Sequence, residues 1–207
     1  MQYPIERPEL VEQALSLASE LGFAARPEGN RPDEAGGASC CIDSVGSLLQ
    51  TICSSLDCAK VGEIGTGAGV GTAWLAAGLS PRSSLTSVEI DKGLHEAVSK
   101  LFRSHESVKL LNDDWRGEFK SQSPYDLLFA DGGGVGNTQS SGWEEIANLV
   151  CTRGIIVIDD LTPEELWPPS WRGKPDPKRE LAFNSGYFMS TEIRTSSETS
   201  ALIMVRR

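Results

Sequence analysis

Acidic side chains follow the apolar segments of this sequence at points where strands would end. The acids that we single out are Glu63, Glu89, Asp114, Asp131, Asp159 and Asp160. Carboxylates accept hydrogen bonds from hydroxyl and amino groups, ligate hard divalent cations and take protons from substrates. Because ligands of open α/β sheets bind beyond the carboxyl ends of the strands, we expect these acids to line one binding site.

A glycine-rich stretch at residues 61–75, with the sequence VGEIGTGAGVGTAWL, reads as a strand, a turn and the start of a helix. Glycines remove Cβ atoms where a chain turns tightly and let a ligand approach the backbone. The N-terminus of the following helix favours an anionic group. Glu63 closes the strand just before the turn, so we expect it to act near the ligand rather than in the core. A turn of this kind that binds no ligand remains the alternative.

The spacing of these glycines separates the stretch from other nucleotide-binding turns. A dinucleotide fingerprint, G-x-G-x-x-G, would need its last glycine where the chain has Val70 or Thr72. A P-loop ends in Gly-Lys-Ser/Thr, and this stretch has no lysine. The pattern E-x-G-x-G-x-G therefore argues against a nicotinamide dehydrogenase and against a P-loop enzyme.

Two further acids have predicted roles at the second strand, residues 85–91. An acid at the tip of this strand accepts hydrogen bonds from both ribose hydroxyls of a nucleotide, and its distance from the glycine turn suits one helical crossover. We assign this role to Glu89 and expect Asp91 to cap the next helix. Glu89 as a solvated strand end is the alternative.

The third strand, 108–111, precedes Asn112, Asp113, Asp114 and Trp115. A carboxylate here can accept from an adenine amino group, and an indole can stack on the adenine ring. Trp115 packing on the neighbouring helix is the alternative.

Strand-like segments at 125–131 and 154–160 are nearly continuous in apolar residues, as parallel strands covered on both faces should be. The first ends in Asp131, followed by three glycines, and the second ends in Asp159 and Asp160. Asp131 is our candidate catalytic residue, as a general base, and it also lies in the predicted cofactor site.

The alternation of strands and helices predicts an α/β fold of the Rossmann-like, doubly wound type, with a parallel sheet and helices on both faces. We expect one domain over residues 1–207. Its parts are cap helices within 1–58 (at 9–21 and 42–56, with a loop at 26–39), a cofactor-binding core at 59–160, an insertion at 161–186 and an antiparallel hairpin at 187–207. The cap helices either cover the cofactor and shape a substrate pocket or only cap the sheet.

The insertion at 161–186 interrupts the alternation of strands and helices. It contains five prolines together with Trp167 and Trp171. Long insertions after site residues are usually functional or disordered, and tryptophans argue against disorder. We therefore expect a structured flap near the site.

Bulk properties exclude several classes of partner. A net charge of −10 over 207 residues argues against a nucleic acid, and residues 172–179 are the only candidate basic patch. No apolar run approaches the length of a membrane span, and the N-terminus does not resemble a secretory signal, so we expect a cytoplasmic protein. Five cysteines without a C-x-x-C pair or a nearby histidine predict reduced thiols rather than a zinc site.

Taken together, these motifs resemble the class I S-adenosylmethionine-dependent methyltransferases, and most of all the small catechol and caffeoyl-CoA type O-methyltransferases. The matching pieces, in order over about residues 42–162, are V-x-E-I-G-T-G-x-G-V-G, S-V-E-I-D, N-D-D-W, Y-D-L-L-F-A-D-G-G and I-V-I-D-D-L-T-P. The resemblance implies a seven-stranded sheet whose last strand is antiparallel. It also implies S-adenosyl-L-methionine as the cofactor.

The resemblance assigns residues to parts of that cofactor. The methionine part would be held by Glu63, Gly65, Thr66, Gly67 and Gly69. Glu89 would bind the ribose, and Ile90 would lie against the adenine. The base would be flanked by Asp113, Asp114 and Trp115.

Three positions match the metal ligands of the catechol-type enzymes: Asp131, Asp159 and Asp160. Here the pair is Asp-Asp rather than Asp-Asn, and the lysine that acts as base in those enzymes has no counterpart among the glycines at 132–134. Three carboxylates suit Mg²⁺, Mn²⁺ or Ca²⁺, and without a metal they would repel one another. Two hypotheses stay open: a divalent cation binds, or one of the pair caps the flap and no metal binds.

The predicted function is methyl transfer to an oxygen, with nitrogen as second choice, of a small-molecule acceptor. An RNA or protein methyltransferase and a non-catalytic nucleotide-binding scaffold are the alternatives. We expect no nucleic acid or membrane partner and leave a homodimer open.

Overall fold

The fold is built on one sheet, seen in a computed structural model that describes residues 4–23, 40–131 and 140–207. Its seven strands are β1 (Lys60–Ile64), β2 (Ser84–Glu89), β3 (Val108–Asn112), β4 (Tyr125–Ala130), β5 (Val150–Leu161), β6 (Phe188–Arg194) and β7 (Ser200–Arg206). Their order across the sheet is β3-β2-β1-β4-β5-β7-β6. The predicted loop at 26–39 and the glycines at 132–134 lie outside the described residues.

Strand directions confirm the predicted fold class. β1 pairs in parallel with β2 and β4, β3 pairs in parallel with β2, and β5 pairs in parallel with β4. β7 pairs antiparallel with both β5 and β6, so it is the strand that runs against the others. The predicted C-terminal hairpin is therefore confirmed, and its second strand inserts between the first and the parallel part of the sheet.

Helices cover both faces of this sheet. They are α1 (Glu9–Glu20), α2 (Asp43–Ser54), α3 (Val70–Gly78), α4 (Lys92–Leu101), α5 (Glu118–Ser121), α6 (Ser140–Ala147) and α7 (Pro177–Arg179), with a 3-10 turn at Glu164–Leu166 and a π-helical turn at Glu180–Asn184. Along β4, Leu127 and Phe129 belong to the cluster under α1 to α4, whereas Leu128 and Ala130 belong to the cluster on the other face. This alternation follows from the two-residue period of a strand. In the described ranges, every helix is too short or too polar to cross a bilayer.

The largest differences from the predicted strand boundaries are at the end of β2 and the start of β5. β2 ends at Glu89 rather than at residue 91, because Asp91 is the N-cap of α4 and its side chain accepts a hydrogen bond from the Leu94 amide. β5 begins at Val150 rather than at residue 154, because Val150 already pairs with Tyr125 before the register shifts. The predicted capping role of Asp91 is confirmed.

The N-terminal helices pack on the face of α3 through close backbone approach. A Cβ on Gly46 of α2 would lie 2.1 Å from the indole nitrogen of Trp74, which is fully buried. A Cβ on Gly78 would lie 2.6 Å from the Gln50 carbonyl oxygen. Glycine therefore sets the distance between α2 and α3, and the cap helices belong to the main core.

Replacing Gly46 by alanine should lower the free energy of unfolding by about 1–3 kcal/mol, because the new methyl group would overlap the Trp74 ring. Urea denaturation of both proteins would measure the difference. Ser47→Ala, one position further along α2 at a half-buried site, should change the stability by less than about 0.5 kcal/mol. Equal losses in the two variants would contradict this account of the α2–α3 contact.

Candidate active site

The glycine-rich turn connects β1 to α3 in backbone conformations that favour glycine. Gly65, Gly67 and Gly69 have φ values of 94°, 52° and 84°. A Cβ on Gly69 would also lie 2.8 Å from a methyl carbon of Val98 in α4. The turn is fixed to β2 by hydrogen bonds from the Gly65 and Thr66 amides to the Val88 carbonyl, at 2.9 and 3.2 Å. Glycine at these three positions therefore allows the tight turn at the edge of the sheet.

Glu63 lies in the core, contrary to the expectation that it would act near the ligand. Its side chain is only 1% exposed and accepts hydrogen bonds from the hydroxyls of Thr72 and Ser87, the latter at 2.6 Å. Ser87 in turn lies 2.6 Å from the Thr66 hydroxyl, so Thr66 donates to Ser87. Burial raises the pKa of Glu63 to about 7, although the two hydroxyls oppose the rise. Glu63 therefore supports the turn from the core side, and the Thr66 hydroxyl is buried and bonded to Ser87.

Glu89 joins the tip of β2 to the glycine turn. One carboxylate oxygen accepts from the Gly67 amide at 2.8 Å, and the other accepts from the Asp91 amide at 2.9 Å. A carboxylate has about four acceptor positions, so each oxygen keeps one for a ligand. The neighbouring Ile90 is 73% exposed. An acid with spare acceptor positions thus lies beside an exposed apolar side chain, as the nucleotide prediction requires.

The residues after β3 make mainly local contacts. Asp113 accepts from the amides of Asp114 and Glu118, at 2.8 and 2.9 Å, and so holds the start of α5. Asp114 accepts from the Arg116 amide at 2.8 Å. Trp115 is buried in the hydrophobic cluster, with the Arg116 guanidinium 4.2 Å from the centre of its ring. The packing alternative therefore describes Trp115, whereas Asp113 and Asp114 at the base remain predictions.

A bulge at the end of β5 brings three predicted acids together. Neighbouring residues of a regular strand point to opposite faces. At Asp160 the backbone is left-handed, with φ of 57°, and the pairing with β7 shifts between Ile158 and Leu161. Ligand atoms of Asp159, Asp160 and Asp131 consequently lie within 4.8 Å of one another. The Asp131 amide donates to the Ile64 carbonyl at 3.0 Å, which fixes Asp131 beside β1.

This arrangement of charges suits a cation. Burial and the charge of Asp159 raise the pKa of Asp131 well above its usual range, and burial and the charge of Asp160 raise that of Asp159. Asp159 is 5% exposed, and its Oδ1 has no hydrogen-bond partner among the described residues. Hard cations such as Mg²⁺, Mn²⁺ and Ca²⁺ bind carboxylate oxygens. The cluster therefore fits a divalent ion that would satisfy the unpaired oxygen and remove the repulsion.

The segment before α2 also reaches this cluster. Cys41 is buried, and burial together with the charges of Asp159 and Asp131 raises the pKa of its thiol. Burial and the charge of Asp131 raise the pKa of the Cys40 thiol to about 11. Both cysteines are free thiols, as expected. The N-terminal region therefore both caps the sheet and contributes to the surroundings of the site.

The flap at 161–186 is anchored by the buried guanidinium of Arg179. It binds both carboxylate oxygens of Glu192 in β6, at 2.9 and 2.6 Å, and one oxygen of Asp176 at 2.8 Å. It also donates to the Thr162 carbonyl at 3.0 Å. Arg179 thus links the flap to the C-terminal hairpin. The predicted basic patch at 172–179 has less exposed positive charge than expected, because Arg179 is buried and paired with Asp176 and Glu192.

A cavity of about 540 Å³ lies between the flap and the end of β5. Asp160 lines it together with Trp167 and Trp171, and so do Lys174 and Lys178. The sequence predicted a structured flap that contains the two tryptophans, but no role for the lysines. Their signal in the sequence was the basic character of residues 172–179, which had suggested only a patch for nucleic acid.

Glu63 should make stability depend on pH between about 4.5 and 7. Because its folded pKa is raised, the folded state holds the proton more tightly, and stability falls as pH rises through this window. Relative to Glu63→Gln, the wild-type free energy of unfolding should therefore fall by about 3 kcal/mol between pH 4.5 and 8. Urea denaturation at several pH values would measure the difference.

Glu96→Gln provides the control, because this exposed residue of α4 only pairs with Lys92 at 3.6 Å on the surface. The free energy of unfolding of Glu96→Gln should equal that of the wild type at every pH. If the difference in free energy of unfolding between wild type and Glu63→Gln stayed constant between pH 4.5 and 8, this would contradict the raised pKa of Glu63.

Comparison with known proteins agrees with this geometry. Residues 63–161 match the family described as a methyltransferase domain. An O-methyltransferase from Bacillus cereus, solved in complex with S-adenosylhomocysteine, is 18% identical with a TM-score of 0.71, and the match covers 98% of this chain and 93% of that one. The O-methyltransferase TomG from Streptomyces achromogenes, involved in tomaymycin synthesis and solved with S-adenosylmethionine, is 18% identical with a TM-score of 0.71. That match covers 98% of this chain and 92% of that one.

A methyltransferase from Geobacter sulfurreducens is 17% identical with a TM-score of 0.69, and the match covers 99% of this chain and 90% of that one. No curated protein sequence gives a significant match. The matched domain spans the glycine turn, the tip of β2 and the acids of β5. Residues 63–161 therefore resemble a methyltransferase domain, and the chain as a whole shares the fold of solved methyltransferases, O-methyltransferases among them.

Proposed function

We propose that this chain binds S-adenosylmethionine at the carboxyl edge of the sheet and transfers its methyl group to an oxygen of a small molecule. The observation that carries the proposal is the carboxylate of Glu89, which bonds to the Gly67 amide beside the exposed side chain of Ile90. A nucleotide needs a carboxylate for its ribose hydroxyls and an apolar surface for its base. Both lie here next to a glycine turn.

In this proposal Glu89 accepts from the ribose hydroxyls and Ile90 covers the adenine. Asp113 and Asp114 lie towards the edge of the base. The backbone of residues 65–69 surrounds the methionine part, and the role of Thr66 is limited to its backbone because its hydroxyl is bonded to Ser87. Glu63 acts on the ligand through the turn that it supports.

The sulfonium of S-adenosylmethionine supplies an already activated methyl group. The chain therefore contributes mainly alignment and exclusion of water. The acceptor proton would leave in one of two ways: Asp131, at the edge between β1 and β5, would take it as general base, or a divalent ion would lower the pKa of the acceptor hydroxyl.

The three acids Asp131, Asp159 and Asp160 would hold a divalent cation. Such an ion lowers the pKa of a bound hydroxyl and so supports methylation of oxygen. The neighbouring folds that carry the name O-methyltransferase support the same acceptor atom. A cavity of about 540 Å³ beside these acids is of the size that small ligands use, which weighs against RNA or protein as the acceptor.

Glu89→Ala should weaken binding of S-adenosylmethionine and S-adenosylhomocysteine by at least about tenfold. Hydrogen bonds to a charged acceptor contribute about 1.5–3 kcal/mol each, and tenfold corresponds to about 1.4 kcal/mol. Calorimetric titration with each compound would measure the change. The affinity of Glu89→Gln should lie between those of the wild type and Glu89→Ala, because the glutamine amide keeps one acceptor oxygen.

Glu96→Ala is the matched control for these titrations, since it removes a glutamate from the surface of α4. It should bind both compounds like the wild type. Unchanged affinity in Glu89→Ala would overturn the placement of the ribose, and failure of the wild type to bind either compound would overturn the proposed function.

Asp159→Asn should abolish stabilisation by divalent cations. In the wild type, Mg²⁺, Mn²⁺ or Ca²⁺ at about one hundred times its dissociation constant should add about 2.7 kcal/mol to the free energy of unfolding. Without a cation at pH 8, the variant should be more stable than the wild type, because an amide replaces one of three repelling carboxylates. Thermal denaturation with each cation and with a chelator would test both statements.

Asp57→Asn removes an exposed aspartate that pairs with Arg82 before β1, at the opposite end of the sheet. It should keep the full response to cations. If no cation stabilises the wild type, the proposed metal site is wrong. The proposal that the chain binds S-adenosylmethionine does not depend on this result.

A further inference from the structure

We infer that Glu192 of β6 is a positioning residue for the acid cluster at the ends of β4 and β5. The acid cluster consists of Asp131, Asp159 and Asp160. Glu192 holds the bulge of β5 in the shape that brings these carboxylates together. This inference rests on the proposed function, because that function places a cation at the same cluster.

The bulge contains one extra residue of β5. Ile158 pairs with Leu202 of β7. The next pair joins Leu161 to Ser200, so β5 advances by three residues where β7 advances by two. A bulge leaves its extra residue outside the strand ladder. The ladder alone therefore does not hold the two aspartates that lie between these pairs.

Strain and repulsion both favour rearrangement of the bulge. Asp160 has a left-handed backbone, with φ of 57°, which is strained in a residue other than glycine. Ligand atoms of the acid cluster lie within 4.8 Å of one another, so ionised carboxylates there repel. The observed shape consequently needs support from outside the cluster.

Glu192 offers this support from a fixed level of the sheet. It pairs with Leu202, which in turn pairs with Ile158, the last regularly paired residue before the bulge. Paired residues of neighbouring strands project from the same face of a sheet. Leu202 and Ile158 belong to one hydrophobic cluster, so the Glu192 side chain leaves the sheet on the face of that cluster.

Two contacts connect the Glu192 carboxylate to the chain that follows the bulge. The Ser200 hydroxyl contacts one carboxylate oxygen and lies 3.3 Å from the Leu161 carbonyl oxygen. The Arg179 guanidinium donates to both carboxylate oxygens, at 2.9 and 2.6 Å, and to the Thr162 carbonyl at 3.0 Å. Glu192 thus acts on the first two residues after the bulge.

The pairing of Glu192 with Arg179 is suited to this role. Arg179 is buried, and a two-point bond between a guanidinium and a carboxylate fixes direction as well as distance. Burial raises the pKa of Glu192, but the bonds from Arg179 and Ser200 outweigh it, so the pKa lies below its usual value. An amide in place of the carboxylate would turn a donor towards Arg179 and break one of the paired bonds.

Binding of Mn²⁺, measured by electron paramagnetic resonance of the free ion, tests the inference with the metal alone. Glu192→Gln should weaken this binding by about tenfold, the size of effect that residues supporting metal ligands usually have. Ser200→Ala removes one of the two contacts and should cause a smaller loss. Without metal, amide hydrogen exchange at residues 159–162 should be faster in Glu192→Gln than in the wild type.

Two controls separate positioning from loss of charge and from loss of stability. Glu180→Gln removes an exposed glutamate of the same flap, which accepts from Asn184 at 2.9 Å. Val61→Ala destabilises the core at the amino end of β1, where Val61 is fully buried. Both should keep the affinity of the wild type for Mn²⁺. All these variants should bind S-adenosylhomocysteine normally, because β6 lies at the edge of the sheet far from β2.

Unchanged affinity of Glu192→Gln for Mn²⁺, or an equal loss in Val61→Ala, would overturn the inference. If the wild type did not bind Mn²⁺, the inference and the proposed cation site would both be wrong, and normal binding of S-adenosylhomocysteine would leave the proposed cofactor in place. Mn²⁺ binding that depends on Glu192, in a protein that never binds S-adenosylhomocysteine, would overturn the proposed function and support the positioning role.

Ser200→Ala keeps the inference testable if Glu192→Gln does not fold, which circular dichroism would reveal. It deletes a single hydroxyl and leaves the pairing of Arg179 with Glu192 intact. Wild-type affinity of a folded Ser200→Ala for Mn²⁺ would then overturn the inference.

Discussion

The buried carboxylate of Glu63 fixes the glycine turn on which the nucleotide end of the site depends. Glu63 lies in β1 and accepts hydrogen bonds from Ser87 in β2 and Thr72 in α3, so its side chain links three elements. A carboxylate in an apolar interior is costly unless it is hydrogen-bonded, and here one donor comes from α3, which follows the turn, and the other from the neighbouring strand β2. The turn therefore cannot move without disturbing this bond set, which keeps its backbone in place for a ligand.

A second constraint acts at the end of β5. In a regular strand the neighbouring side chains of Asp159 and Asp160 would point to opposite faces of the sheet. The left-handed residue Asp160 turns the chain, so the carboxylates of Asp159 and Asp160 meet Asp131 across the edge of the sheet. A non-glycine residue in this conformation costs energy, and such strain is typical of functional sites. The proximity of the three acids and the bend in the strand both support the proposed cation site.

The flap then determines what can approach these acids. Arg179 binds Glu192 in the hairpin and Asp176 in the flap, so the C-terminal strands and the insertion form one support. The two tryptophans and two lysines of the cavity depend on that support for their position. In the proposed function, the parallel core would recognise the cofactor and the insertion would face the acceptor.

The sequence by itself determined the fold class and the approximate positions of the strands, because alternating strands and helices and a glycine turn are local patterns. It also predicted that Asp91 caps α4, which the structure confirms, and that Asp131, Asp159 and Asp160 lie close together at strand ends. Only the tertiary structure decided that Glu63 and Trp115 are buried, since burial depends on which elements pack above a residue. The cavity lysines likewise reach the end of β5 only when the flap folds back onto it, because contacts between residues distant in sequence leave no local pattern.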